Sequence, residues 1–367
     1  MAETTYGLAN VESGEAVPAP KLDYQPPRPN RYSPKIGLIG CGGISGYHLA
    51  AYREMGLEVV AICSRDRTKA ERRRDEFFPD ADVTDDYREL LRRDDIEVVD
   101  LAIPPAPRVG VMEAALKADK HVLSQKPFVT DLEEGKRLVD LAERRGRKLA
   151  VNQNGRWAPH FAYLGRAIDA GTVGRVSSID FVLHWDHTWT AGTAFEEIHH
   201  LVLYDFGIHW FDIATRFLGG RSPHRVFASV ARSSSQAMKP PLLAHVVAEA
   251  DGAQVRMSFN AQVRFGQEDR TVVAGELGTL RAFGPELNEQ SVGLWTTEGV
   301  AAPALDGDWF TSGFQGTMGE LLCAIEENRE PTNGARGNLE SLAFCFAALR
   351  SADTGRPEVP GSVMRVA

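Results

Sequence analysis

The chain has 367 residues, 43% hydrophobic and 25% charged, with a formal net charge of −9 and no long block of one sign. That length can carry two domains with full cores, and the acidic, sign-mixed balance argues against nucleic acid or an anionic membrane as partner. No apolar run reaches the ~18 residues of a membrane span, the N-terminus lacks a secretory core, and Cys41, Cys63, Cys323 and Cys345 show no CxxC or zinc spacing, so buried thiols and a reducing, cytoplasmic setting are expected.

Residues 1–33 hold five prolines between Pro18 and Pro29 and few aliphatics, an extended arm. It is either disordered or laid across its own domain or a neighbouring subunit, with Tyr24 and Tyr32 as anchors. From there the sequence predicts a strand at Lys35–Ile39 and a helix at 44–55. A strand at 57–64 and a helix at 68–77 follow, then a strand at 98–103 and a helix at 108–118. The last pairs are a strand at 121–124, a helix at 132–145 and a strand at 148–152. For the helix at 132–145, Thr130 with Glu133 predicts a capping box and Gly146 the stop. These strands are apolar throughout rather than alternating, which predicts a parallel sheet covered on both faces over residues 34–156.

After residue 157 the rhythm changes. Partial alternation at 175–185 is followed by strand-like runs at Arg225–Ala231, 244–250, 254–262, 268–274 and 278–282. They predict an α+β domain with an open, mostly antiparallel sheet over 157–337. Helices are expected at 316–327 and 338–354, the second packing back on the first domain.

Gly40-Cys41-Gly42-Gly43-Ile44-Ser45-Gly46 follows the first strand and opens the first helix. In that context G-x-G-x-x-G/A is a dinucleotide signature, so the first domain is expected to be of the Rossmann type. Gly40 permits the tight turn, Gly42 lets the backbone approach a pyrophosphate, and small Ser45 lets helix and strand pack closely. Free N–H groups of Gly43 and Ile44 at the helix start would face the phosphates. At the end of the second strand stand Ser64, Arg65 and Asp66, with Lys69 one turn on. Serine and arginine suit a ribose 2′-phosphate, so NADP is expected ahead of NAD, although Asp66 points the other way.

The stretch from His121 to Val129 reads HVLSQKPFV. Its lysine, Lys126, ends a strand on the sheet edge that also carries Gly40, where open parallel sheets bind ligands. On strand logic alone it either snorkels to water or sets a cation against charge developing on a reacting oxygen. Pro127 makes a cis Lys126–Pro127 bond available.

Asp205 and His209 share a segment, 203–218, of helical period, so at i and i+4 they would lie on one face. The carboxylate could orient the imidazole and favour its protonated form, or bind substrate itself. His209 would be the base for a substrate hydroxyl; the plain alternative is a local hydrogen-bonded pair. Trp185 and His187 flank the presumed cleft and offer a ring face and a polar contact. His184, His187, Glu196, His199 and His200 lack HExxH spacing, so no metal is expected. Asn154 and Arg156, at the end of the last Rossmann strand, are expected to line the nicotinamide side, unless they only serve a domain junction.

Several short motifs now stand in order: Gly40–Ser45, Ile103-Pro104-Pro105, Gln125-Lys126-Pro127, Asn154-Gly155-Arg156-Trp157, and Asp205 through His209 to Asp212. Together they make the chain resemble the glucose–fructose oxidoreductase / inositol dehydrogenase / rhizopine catabolism (Gfo/Idh/MocA) family from residue 34 onward. The resemblance implies a Rossmann domain followed by an open-sheet domain, and NAD(P)-dependent hydride transfer to or from a sugar, polyol or sugar derivative. It implies that Lys126 is catalytic, with Asp205 and His209 matching the family's acid–histidine pair. It adds Ile103, Pro104, Pro105, Arg108, Gln125 and Lys126 to the cofactor side; Lys126, Asp205 and His209, together with Asn154, Trp185 and His187, are expected on the substrate side. Two positions depart from the pattern: Gln125 stands where the family usually has glutamate, and Arg108 where it usually has histidine. A homodimer or homotetramer is expected through the second sheet. Two other functions fit the same residues: glycoside cleavage through transient oxidation by a retained nicotinamide, and a non-catalytic cofactor-binding sensor.

Overall fold

The computed structural model describes residues 14–366. The first unit runs β1 (Lys35–Ile39), α1 (Ser45–Met55), β2 (Glu58–Cys63), α2 (Arg67–Phe77), β3 (Asp82–Thr84), α3 (Tyr87–Leu91) and β4 (Ile96–Leu101). It continues through α4 (Pro105–Lys117), β5 (His121–Gln125), α5 (Leu132–Arg144) and β6 (Leu149–Asn152). The six strands are parallel in the order β3-β2-β1-β4-β5-β6. Their order reverses between β1 and β4, and a crevice opens there at the carboxyl ends of the strands. Helices on both faces explain the unbroken apolar strands: Ile36, Leu38, Val98, Val99, Val122 and Leu123 are all fully buried.

Three local features differ from the sequence expectation. β3 and α3 were not predicted, because three half-exposed residues, Asp-Val-Thr, give no apolar run. α4 begins at Pro105 rather than 108; prolines in a first turn forgo N–H groups that have no helical partner there. The cap of α5 is Asp131, not Thr130: its carboxylate accepts from Glu133 N (2.8 Å) and Glu134 N (3.4 Å), and aspartate serves as well as threonine once the chain turns one residue later.

A 3-10 turn at Asn154–Trp157 leads to α6 (Pro159–Asp169) and β7 (Val176–His184). A long connection then reaches α7 (Ile208–Phe217), β8 (Arg225–Ala231), β9 (Leu243–Ala250), β10 (Ala253–Asn260), β11 (Glu268–Gly275), β12 (Gly278–Gly284), β13 (Ser291–Thr296) and β14 (Gly299–Ala301). These form an eight-stranded sheet in the order β14-β13-β12-β11-β7-β10-β9-β8, antiparallel except at β7–β10. Burial alternates along β8 to β10, so one face packs on helices and the other looks outward.

α8 (Thr311–Glu326) and α9 (Ala335–Thr354) close the chain. α8 returns to the first unit, where Phe310 at its start stacks on Tyr47 of α1 (ring centroids 4.5 Å). α9 lies between the units. Phe344 packs edge-on to Phe211 of α7 (4.8 Å) and Ser351 Oγ accepts from Ala228 N (2.9 Å), while Arg336 pairs with Asp140 and Glu143 of α5.

Of the arm, residues 14–33 lie on the same chain; calls on residues 1–13 fall outside the described residues. Val17 N donates to Val300 O (2.9 Å), Tyr24 packs edge-on to Tyr163, and the N–H groups of Asn30, Arg31 and Tyr32 converge on the Glu326 carboxylate at 2.6–2.9 Å. All four cysteines are buried and free.

Candidate active site

The crevice beside β1 is a groove of about 450 Å³ lined by Gly40, Gly42, Ser64, Arg65, Lys69, Ile103 and Pro104. Gly40 has φ +111°, and a Cβ there would stand 2.4 Å from Ala102 O, so no other residue fits the turn. A Cβ on Gly42 or Gly43 would meet nothing within 4 Å: their backbone faces open space. Ser45 Oγ donates to Gly42 O (2.6 Å) and fixes the loop. Among the described residues, the N–H groups of Gly42, Gly43 and Ile44 donate to no protein acceptor. Unpaired donors on bare backbone at a helix start fit a pyrophosphate.

At the far end of the groove, Lys69 Nζ lies 3.6 Å from Asp66, which partly neutralises it. Arg65 is exposed. Asp85 and Tyr87 also line this end; both follow the unpredicted β3 and were missed for that reason.

Lys126 stands at the end of β5, and its bond to Pro127 is cis. Its Nζ donates to Asp205 O (2.8 Å) and lies 3.2 Å from Asp205 Oδ1. Segment 203–218 is therefore not one helix. A π-helical turn spans Val202–Phe206, with Gly207 N bonded to Val202 O (2.7 Å), and α7 starts after it. The wide turn aims Asp205 at Lys126 rather than at His209, which corrects the expected Asp205–His209 pair.

Among the described residues His209 has no carboxylate partner. It is 8% exposed and packs against Trp309 (5.5 Å), with Nδ1 buried and unpaired. Burial, and then the Lys126 charge, hold its pKa well below the usual histidine value. The imidazole is thus neutral near pH 7 and able to accept a proton, as the expected base must, without the carboxylate that could have favoured its protonated form. His187 packs on Phe206 (4.2 Å) and is held at a pKa of about 4 by burial. Trp185 packs between His187 (5.2 Å) and Trp210 (5.0 Å).

Three residues expected near the cofactor make scaffold contacts. Arg108 is fully buried and its guanidinium donates to the carbonyls of Ile103 and Pro127, bracing the two loops that flank the crevice. Arg156 forms a two-pronged pair with buried Asp212 (2.5 and 2.8 Å) and donates to Thr332 O. Asn154 is buried and donates to Trp309 O (3.1 Å), supporting the ring against which His209 rests.

Gln125 leads into a buried network. Its Oε1 accepts from Lys126 N (2.7 Å), which fixes the amide orientation, and its Nε2 lies 3.1 Å from His48 Nε2. An amide N–H can only donate, so His48 Nε2 accepts and the ring proton sits on Nδ1. That nitrogen is 2.7 Å from Asp100 Oδ2, which also accepts from Tyr52 O–H (2.7 Å). His48, Tyr52 and Asp100 are fully buried. Of these only Asp100 left a sequence trace, as a lone charge in the apolar run Val98–Ile103.

Sheet order and groove together define a dinucleotide-binding Rossmann domain. The family comparison narrows the class: residues 34–153 match the model of the oxidoreductase family with NAD-binding Rossmann fold, and residues 161–281 the GFO/IDH/MocA C-terminal domain. The chain belongs to the Gfo/Idh/MocA oxidoreductase family. It is 27% identical over 335 residues to D-apiose dehydrogenase of Paraburkholderia graminis, covering 88% of each chain. It is 25% identical over 332 residues to inositol 2-dehydrogenase of Rhizobium meliloti, covering 86% of this chain and 96% of the other. Among solved structures, an Agrobacterium radiobacter oxidoreductase in complex with NAD+, L-tartaric acid and magnesium superposes with TM-score 0.81 at 21% identity, over 90% of this chain and 99% of the other.

Proposed function

We propose that the protein is an NAD(P)-dependent dehydrogenase of a sugar, polyol or sugar derivative. The observation that carries this is the juxtaposition of a cation and a neutral base. Lys126 Nζ is held by Asp205 at the carboxyl edge of the sheet, and its charge is felt by the unprotonated His209. Relatives that act on apiose and inositol support a polyhydroxylated substrate.

The bound nicotinamide supplies the hydride acceptor or donor. In the oxidative direction His209 takes the substrate hydroxyl proton on Nε2, the ring nitrogen not sealed in the core. Lys126 Nζ donates to the same oxygen and stabilises its developing negative charge. Asp205 fixes Nζ through both its carboxylate and its carbonyl, and Trp185 offers a face for the substrate ring. NADP is read ahead of NAD on the strength of Arg65; Lys69 contributes less, being paired with Asp66. Exposed Phe227 and Val247, paired across β8 and β9, and Phe283 on β12 support pairing of two copies through the outer sheet face. The four free thiols suit the cytoplasm.

A panel of sugars, polyols and glycosides with NAD and NADP tests the reading. Reduced cofactor should accumulate with at least one free sugar or polyol, and Lys126→Met should lower kcat by about 10²–10³-fold with cofactor affinity kept. Glycoside cleavage without net cofactor change would replace this reading. So would Lys126→Met retaining full turnover.

A further inference from the structure

His199 and His200 found no third ligand by sequence spacing, because the third is Asp353, 153 residues beyond His200 in the last turn of α9. In the fold the three meet. His199 Nε2 lies 2.8 Å and His200 Nε2 2.9 Å from the same atom, Asp353 Oδ1. The two rings are 3.9 Å apart between centroids. Successive side chains on a strand point to opposite faces, and on a helix they diverge by about 100°. Here His200 adopts φ +47°, a left-handed conformation uncommon in non-glycine residues, and both imidazoles reach one side.

We propose that His199, His200 and Asp353 bind a divalent transition-metal ion, of which zinc is the type. One ligand atom from each residue lies within 4.8 Å of the others. Around tetrahedral zinc, with bonds of about 2.0–2.2 Å, ligand atoms stand roughly 3.3 Å apart. Both histidine–aspartate separations need only open by about 0.5 Å to reach that spacing. Two imidazoles and one carboxylate suit zinc, cobalt or nickel, whereas calcium and magnesium call for an all-oxygen shell. His199 and Asp353 are 53% and 37% exposed at the side chain, so an ion can enter and water can complete the shell.

His200 Nδ1 is buried without a partner among the described residues and must carry the ring proton once Nε2 binds metal. That missing outer contact weakens the site, so a micromolar rather than a tighter dissociation constant is expected. The ion would have a mechanical role. His200 O accepts from Leu203 N and Tyr204 N (2.9 Å each) and so starts the π-helical turn that carries Asp205. Metal at His200 would pin that turn to α9.

The test uses the tag-free full chain, freed of metal with a chelator, with zinc or cobalt chloride alone as the probe. One zinc per chain should bind in calorimetry and raise Tm by about 2–4 °C at a hundredfold excess over the dissociation constant. Cobalt should give the visible absorption of a four- or five-coordinate ion. His199→Gln/Asp353→Asn, which keeps both side-chain volumes at positions open to solvent, should lose at least tenfold in affinity while keeping its metal-free Tm to within about 2 °C. Equal zinc binding by the double variant, or none by the natural chain, would overturn the proposal.

Discussion

Gln125→Glu probes the buried network behind Lys126. In the natural chain the Gln125 amide donates to His48 Nε2 across 3.1 Å, and Lys126 N donates to Oε1. A carboxylate keeps the second bond and turns the first into lone pair against lone pair. Relief comes when a proton is taken up between the new carboxylate and His48 Nε2, with the Asn152 amide, 3.2 Å from the same nitrogen, turning its oxygen toward the ring. At 3.1 Å and an effective dielectric of about 20, that contact is worth at most ~5 kcal/mol. Burying one more carboxylate and charging a buried ring cost several kcal/mol each. The terms offset to within a few kcal/mol, so net stability is a poor readout and proton linkage a good one. The folded variant holds a proton that its unfolded chain releases above pH ~6.5. The added stability is fully present below that pH and lost as pH rises. Urea denaturation at pH 6, 7, 8 and 9 should therefore show the variant falling relative to the natural chain by about 1.4 kcal/mol per pH unit above ~6.5. Turnover should persist, because the Lys126 backbone contact survives, and the pH–rate profile should shift. Parallel stability curves and an unchanged profile would refute the assigned tautomer and show position 125 to be electrostatically idle.

Asp205→Asn keeps the carbonyl contact to Lys126 but deletes the charge; partners about one-fifth exposed at 3.2 Å predict a loss of about 1–3 kcal/mol, a 10–100-fold fall in kcat/KM by steady-state kinetics. Asp212→Ala strands the Arg156 guanidinium, which now makes two bonds to that carboxylate, and should destabilise the chain by about 3–5 kcal/mol in urea melts. His160 is 2% exposed, and burial holds its pKa at about 3. The unfolded chain thus takes up its proton first, and the stability His160 contributes, complete above pH ~6.5, is lost as pH falls toward 3. Between pH 6.5 and 5 the loss is about 2 kcal/mol. His160→Gln should shrink the pH 5-to-7 stability difference by that amount; an unchanged difference would show the ring to be solvated.

What the sequence disclosed and withheld divides along the range of the interactions. Signals written within one turn or one strand were legible. Gly40 announced itself because a bend beside Ala102 O admits no Cβ. Lys126 did so because a charge ending an apolar strand must reach a ligand or water. Partnerships across elements were not. Arg108 and Arg156 carry motif positions that suggest ligand contact, yet their guanidinium groups meet carbonyls and a carboxylate brought from 19 and 56 residues away. The sharper case is Asp205. Helical period places it on the face of His209, and one extra residue in the turn, through the Gly207–Val202 bond, rotates it by roughly 100° about the axis. A carboxylate kept on the histidine would have favoured the charged ring. Turned onto Lys126, it leaves His209 buried and facing a cation, and both influences favour the neutral ring. The acid–base reading of the site thus depends on one wide turn, which periodicity alone does not reveal.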